Sequence, residues 1–160
     1  MAFKIEETKS EDQLVLNLVG DLDEDVSLKN TSNLGFKKIT VNFDKLVLIN
    51  SCGIREWISW AAKIPETTEV TLQLMPIVLV SQMNTVRGLF PPQTKVESFY
   101  VPYFCEDCDV FKNILFQNGT EFDNTVLKSK LKFTCGTCKK PMEMDVNESK
   151  YFSFLKFRQD

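Results

Sequence analysis

The most informative absence is histidine, since the 160-residue sequence contains none. Without it the chain cannot use a Ser–His or Cys–His nucleophile, a histidine general base or an imidazole metal ligand. A basic excess is also lacking, because 19 Lys and Arg residues against 22 Asp and Glu residues give a net charge of -3. Surfaces that bind nucleic acid or anionic lipid carry positive charge. With no convergent carboxylate or lysine pair in place of histidine, the sequence predicts a non-enzymatic protein.

Long apolar runs are absent as well. The longest apolar stretch, Leu74 to Val80, is interrupted by Pro76 and is far shorter than the roughly 20 residues of a membrane span. The first ten residues contain several charges and no apolar run of signal-peptide length. We therefore expect a cytoplasmic protein with no membrane partner. In that compartment paired cysteines are expected to bind metal rather than to form disulfides.

The first hundred residues alternate between strand and helix patterns. Residues 38–49 contain Ile39, Val41 and Phe43 and end in a continuous apolar run, which is typical of a central, buried strand. Helical spacing follows at Ile54 and Trp57, and it predicts a helix over 51–63. Further strands are predicted at 3–8, 13–19, 69–75 and 96–103, a second helix at 78–89, and a brief helix between 26 and 35. This order predicts an α/β fold with a mixed β-sheet and helices packed on it.

The pattern changes at Cys105, where cysteines, turn signals and aromatic strands replace the helical spacing. We place a domain boundary near Pro102, between an α/β domain at 1–102 and a small β-rich domain at 103–160. Within the second domain, Asn118 and Gly119 predict a hairpin turn, and residues 151–157 alternate with the period of an aromatic strand.

Four of the five cysteines form two C-x2-C pairs, Cys105 with Cys108 and Cys135 with Cys138, separated by 26 residues. A C-x2-C turn lets two sulfurs reach one ion, and zinc prefers four tetrahedral ligands. Because four cysteines leave no open coordination position, the pattern predicts one structural Zn²⁺ ion. It resembles a zinc ribbon. A region of under sixty residues rarely folds without a bound metal or another cross-link.

Zinc ribbons often bind nucleic acid, so a nucleic-acid-associated ribbon protein with the α/β domain as its scaffold is the alternative interpretation. Charge argues against it. Residues 103–160 carry nine Asp or Glu and nine Lys or Arg residues, and four thiolates around Zn²⁺ add two negative charges. A nucleic-acid module is expected to present a basic face.

A second motif stands where the predicted central strand meets the first helix. The segment from Val41 to Ile54 ends in Ile49-Asn50-Ser51-Cys52-Gly53-Ile54, and an earlier turn reads Gly20-Asp21-Leu22-Asp23. Together these motifs resemble a STAS domain, the family of sulphate-transporter C-termini and bacterial anti-sigma factor antagonists. The resemblance covers residues 3–102.

The resemblance implies a bacterial regulatory module that binds a protein partner, an anti-sigma factor, a kinase or another signalling protein, and is switched by phosphorylation at Ser51. The partner-binding surface would contain Asp23, Asn50, Ser51, Cys52, Gly53 and Arg55. Asn50 replaces the usual aspartate of the family, and a role for Ser51 as a simple helix cap stays open. Cys52 is expected to be a small buried residue, and Trp60 is expected to pack between the domains.

Overall fold

The computed structural model describes residues 1–29, 31 and 35–156. Within them the chain has a mixed α/β fold, as predicted. Its α-helices are α1 (Ser51–Ala61), α2 (Ile77–Thr85) and α3 (Glu148–Tyr151), with a 3-10 helix at Ser153–Leu155. Its strands are β1 (Lys4–Lys9), β2 (Gln13–Leu22), β3 (Lys38–Ile49), β4 (Glu69–Gln73), β5 (Lys95–Val96), β6 (Ser98–Cys105), β7 (Val110–Gln117), β8 (Phe122–Asp123), β9 (Val126–Leu127) and β10 (Glu143–Met144).

The first sheet contains five strands in the order β1-β2-β3-β4-β5. β1 pairs antiparallel with β2, and the other neighbours are parallel. β3 is therefore the central strand, as its apolar composition predicts. The brief helix expected between 26 and 35 is absent among the described residues of that segment, and part of the segment lies outside them.

One face of this sheet carries the aliphatic core. Leu14, Leu16 and Leu18 of β2 alternate with half-exposed residues, and Ile39 and Val41 of β3 do the same. The expectation that the run 46–49 is continuously buried is wrong, because Val47 and Leu48 are 59% and 46% exposed. β4 pairs with β3 only as far as Asn42, so the end of β3 extends past its neighbour.

Helix α1 packs on the buried face through Trp57 and Trp60. The Trp57 ring contacts Phe43 of β3, with ring centroids 6.0 Å apart. The Trp60 ring lies 4.9 Å from Trp57, and its indole N–H donates to the carbonyl of Thr31. Trp60 is thus buried against residues of the first hundred, and the expectation that it packs between two domains is wrong.

A second sheet has the order β10-β6-β7. The single strand expected at 96–103 is in fact two strands, because Val96 ends β5 in the first sheet and Ser98 begins β6 in the second. β6 runs without interruption through Pro102, where the domain boundary was placed. β8 and β9 form a separate hairpin, and the turn at Asn118 and Gly119 joins β7 to β8 rather than forming a two-strand hairpin.

The aromatic strand expected at 151–157 is wrong as well. Asn147 caps α3 by accepting from the amide of Lys150, and the chain then continues into the 3-10 helix. Phe152 and Phe154 are buried and contact Phe99 of β6. The last position of the expected strand, residue 157, lies outside the described residues.

Helix α2 bonds to the C-terminal helical segment through Asn84. The side-chain amide of Asn84 donates to the carbonyl of Tyr151 at 2.8 Å, and its oxygen accepts from the amide of Phe154 at 2.8 Å. Within the described residues, no helix is both long enough and apolar enough to cross a membrane.

Candidate functional site

The four paired cysteines meet at one end of the second sheet. Cys105 is the last residue of β6, and the turn through Cys108 leads directly into β7. The second pair stands on an equivalent turn, closed by the Cys135 amide donating to the carbonyl of Lys140. In both turns the residue after the second cysteine has a left-handed backbone, Asp109 with φ 52° and Lys139 with φ 63°. Two turns of the same shape therefore face each other.

The four sulfur atoms form a compact cluster. All lie within 4.8 Å of one another, and the sulfurs of Cys105 and Cys138 are 3.5 Å apart. Four sulfurs at 2.3 Å from a central tetrahedral ion would be separated by about 3.8 Å. Cys105 and Cys135 are buried, whereas Cys108 and Cys138 are half-buried. The cluster is close enough to hold a metal ion.

Backbone amides favour a negative charge on one sulfur of the cluster. The amides of Cys138 and Thr137 donate to the Cys135 sulfur and lower its pKa to about 6. A hydrogen bond with Cys138 and burial raise the pKa of Cys108 to about 12, and burial also raises the pKa of Cys105. One thiolate thus forms readily, while further thiolates are disfavoured beside it. A divalent cation would remove this repulsion and displace the remaining protons.

Ordinary charges around the cluster are mixed. Glu106, Asp107 and Asp109 are exposed on the first turn, and Lys139 and Lys140 on the second. The Lys140 ammonium lies 3.3 Å from the Asp107 carboxylate. With four thiolates bound to a divalent ion, the centre itself would carry two negative charges. Among the described residues, the two cysteine turns therefore carry both signs of charge and form no basic surface.

The second predicted site is the start of helix α1. Asn50 is the N-cap, because its side-chain oxygen accepts from the amides of Cys52 and Gly53, both at 3.0 Å. Its side-chain amide donates to Glu24 at 2.7 Å. A hydrogen bond from its own backbone, followed by the bond from Asn50, lowers the pKa of Glu24. Asn50 therefore fixes an acidic loop against the helix start.

Gly53 is buried beneath this surface rather than exposed on it. A Cβ atom at this position would overlap the backbone carbonyl of Leu22 in β2. The amide of Asn50 also donates to that carbonyl, at 3.1 Å. Only glycine allows α1 to approach the sheet so closely. Gly53 thus positions the neighbouring residues and offers no side chain to a partner.

The other residues predicted for the partner-binding surface lie around Gly53. Ser51, Cys52 and Arg55 are exposed, and Asp23 is half-buried in a turn where it accepts from the amide of Asp25. The expectation that Cys52 is buried is therefore wrong: it lies on the outer side of the first helical turn.

Val47 and Leu48 are exposed at the end of β3 that precedes α1. Their exposure was not predicted from the sequence. A run of four apolar residues is the usual pattern of a buried strand, so no local signal marked these two as exposed. Their exposure follows from the short β4, which leaves the end of β3 without a neighbour on that side.

No protein-family model matches the sequence, and a search of characterised proteins gives no significant relative. The chain's own residues are therefore the only basis on which a function is assigned.

Proposed function

We propose that this chain is a non-enzymatic bacterial regulatory module of the STAS type that binds a protein partner through the start of α1, beside a structural zinc centre. The observation that carries the proposal is the position of Ser51. It is the exposed first residue of the helix that directly follows the central strand. This is where the resemblance to anti-sigma factor antagonists places a regulatory phosphate.

The mixed sheet supports the first half of this proposal. Its antiparallel β1 and parallel β2 to β5 agree with the mixed sheet that the resemblance implies. Gly20 and Gly53 occupy the motif positions, and each has a backbone neighbour too close for a Cβ atom. Both motif glycines therefore have a packing role, Gly53 between α1 and β2 and Gly20 against the backbone of Ala2.

The surface has the composition of a protein contact. Val47 and Leu48 offer exposed apolar area near the polar residues Ser51 and Arg55. Apolar contacts surrounded by polar groups are typical of protein interfaces. The acidic residues of the 23–25 turn lie close by, so a further negative charge here would repel the turn itself and any acidic patch on the partner.

Phosphorylation would act here by charge. A phosphate on Ser51 would add nearly two negative charges beside Glu24, whose carboxylate is held by Asn50. The amides of Cys52 and Gly53 are already bonded to Asn50, so the phosphate would compete with this cap. The expected result is repulsion of the acidic loop and loss of the partner.

Zinc is the metal we propose for the cysteine cluster. Four thiolates with no histidine form a soft, closed ligand set, which is typical of structural zinc. The region around it contains three strands of only two residues, β8, β9 and β10. A metal that joins β6 to the 135–138 turn would hold this region together.

The test is capture of protein partners by the wild-type chain, Ser51→Ala and Ser51→Asp. We expect Ser51→Ala to retain the partners and Ser51→Asp to lose them. Ser59→Asp is the matched control, because Ser59 is an exposed serine later in the same helix. Equal capture by Ser51→Asp and wild type, or equal loss in Ser59→Asp, would contradict the proposal.

A further inference from the structure

The outer edge of β7 is unpaired along the part of the chain that the structure describes. β7 is the last strand of the β10-β6-β7 sheet, and its first four residues, Val110 to Asn113, are all exposed. Phe111 is 65% exposed. A strand edge with exposed apolar side chains is a template for pairing with another strand.

The hydrogen-bonding groups of this edge follow from the ladder. Pro102 in β6 accepts from the amide of Asp145 at 2.8 Å, so its carbonyl points toward β10. Along an antiparallel ladder, the backbone N–H and C=O groups of successive residues point alternately to the two sides of the strand. Phe111 and Asn113, which lie opposite Phe104 and Pro102, therefore turn their backbone N–H and C=O groups outward.

Aromatic side chains continue across the same face. The rings of Phe104 and Phe111 lie 4.7 Å apart at 38°. Pro102, Tyr100 and Leu115 share this face and are only half-buried. The outer face of this sheet is thus apolar and continuous with the free edge.

The edge of the first sheet is built differently. β1 carries Lys4, Glu6, Glu7 and Lys9, and two ion pairs link Lys4 to Glu6 and Lys9 to Glu7. Charged side chains on an edge strand oppose strand pairing. The exposed half of β7 contains only one charge, that of Lys112. The two edges therefore differ in their capacity to accept another strand.

We propose that β7 pairs antiparallel with β7 of a second copy of this chain, with Phe111 opposite Phe111 of the second copy. The outward N–H and C=O groups of the two Phe111 residues would then form reciprocal hydrogen bonds, and the two pairs of rings, from Phe104 and Phe111 of each copy, would form one cluster. The six strands would make a continuous sheet across a two-fold axis.

Charge disfavours the neighbouring register in which Phe111 lies opposite Asn113. Sliding the strands so that Phe111 lies opposite Asn113 would place two Lys112 side chains directly opposite each other, which is unfavourable. In the proposed register Lys112 lies opposite Val110, beside the turn of the second copy that contains Glu106 and Asp109. This turn is acidic, so each copy offers the other an opposite charge.

The contact is small, because the pairing strands share few residues. Interfaces of this size are weak and transient, so we expect a dissociation constant of about 10⁻⁴ M. The dimer would form at high local concentration and dissociate on dilution.

The experiment is sedimentation equilibrium of the full metal-loaded chain over a concentration series that spans this value. Phe111→Lys should weaken self-association at least about tenfold, which corresponds to about 1.4 kcal/mol. Val126→Lys is the matched control, since Val126 is 66% exposed on the β9 strand of another hairpin, and it should associate like the wild type. Metal content verifies that each variant is folded.

A second variant tests the register without an aromatic substitution. Lys112→Glu should weaken the dimer, and more strongly at low salt than at high salt, because it faces an acidic turn. In the wild type, amide exchange at Phe111 should slow as concentration rises.

Three results would overturn the proposal: a monomer at every concentration, equal weakening by Phe111→Lys and Val126→Lys, or unchanged amide exchange. The same variants are also tested for binding to a single-stranded oligonucleotide. A wild-type monomer that binds the oligonucleotide through Phe111 would assign the aromatic face to base stacking and contradict pairing of two copies.

Discussion

The two sheets of this molecule are stabilised by different means. The five-stranded sheet buries aliphatic rows such as Leu14, Leu16 and Leu18 beneath α1. The region after Val96 instead packs aromatic rings, including Phe99 and Phe116 of the eight-residue strands β6 and β7, beside three strands of two residues each, and it contains the cysteine cluster. Because two-residue strands bury little apolar area, we expect this part of the region to depend on the proposed metal.

The two regions nevertheless share one core. Leu79 and Val80 of α2 are buried together with Phe99 and Phe154, and Asn84 bonds to the C-terminal helical segment. The following substitutions separate what stabilises each region from what joins them.

The largest effect is expected from Cys105→Ser. Losing one of four ligands would release the proposed metal, and because binding of such a metal is coupled to folding, we expect a loss of about 5 kcal/mol or more in the second region. Zinc content and the free energy of unfolding measure this. Cys52→Ser is the control, because Cys52 is exposed and outside the cluster. A folded, metal-free Cys105→Ser protein with wild-type stability would show that the metal has no structural role.

The next effect is expected at Gly53, in the first region. Gly53→Ala places a Cβ atom on the Leu22 carbonyl, so α1 must move off the sheet at a cost of about 3 kcal/mol. Gly136→Ala in the second cysteine turn has open space around it and should change stability by less than about 0.5 kcal/mol. Urea unfolding compares the two, and similar losses would refute the close approach of α1 and β2.

Asn84→Ala tests the link between the regions. It leaves the Tyr151 carbonyl and the Phe154 amide without partners, and we expect a loss of about 2 kcal/mol. Thr85→Ala is the control, since the Thr85 hydroxyl bonds only within its own helix. Amide exchange should quicken around the 3-10 helix in Asn84→Ala, and an unchanged exchange pattern there would argue against the link.

The smallest effect is expected at the α1 cap. Asn50→Ala removes the acceptor for two amides and should cost about 1 kcal/mol. Asn50→Asp keeps an acceptor and should preserve most of this stability, although it replaces the bond to Glu24 with repulsion. Thermal unfolding of both variants checks the order, and a more stable Asn50→Ala than Asn50→Asp would contradict the capping role.

Much of the first region could be predicted because local pattern and tertiary structure agree there. The period of two in β2, the apolar β3 and the helical spacing after Asn50 each favour one element, and that element forms. The exposure of Val47 and Leu48 was not predictable, since it depends on where β4 ends.

The second region was harder to predict because its segments are short. Residues 151–155 place aromatic rings at alternate positions, a spacing that also suits a short helix followed by a 3-10 turn. The cap at Asn147 decides in favour of the helix. The division of 96–103 into two strands was also missed, although the apolar alternation changes phase there, from Val96 to Phe99 and Val101.

The cysteine cluster could be predicted because the spacing of the cysteines reflects the chemistry of metal ligands rather than the helix or strand propensity of the segment. Two C-x2-C turns are a common pattern of metal ligands. The contribution of Asn84 had no such signal, because its partners are about seventy residues away in the sequence.

Amide hydrogen exchange of the wild-type chain, with zinc bound and after its removal by a chelator, tests the central claim most directly. We expect a zinc content of one per chain. Removal of the metal should expose the amides of β6 near Cys105, of β7 and of the 135–138 turn, while β2 and β3 remain protected. Identical protection with and without metal, or simultaneous loss throughout both sheets, would contradict a structural zinc centre in the second region.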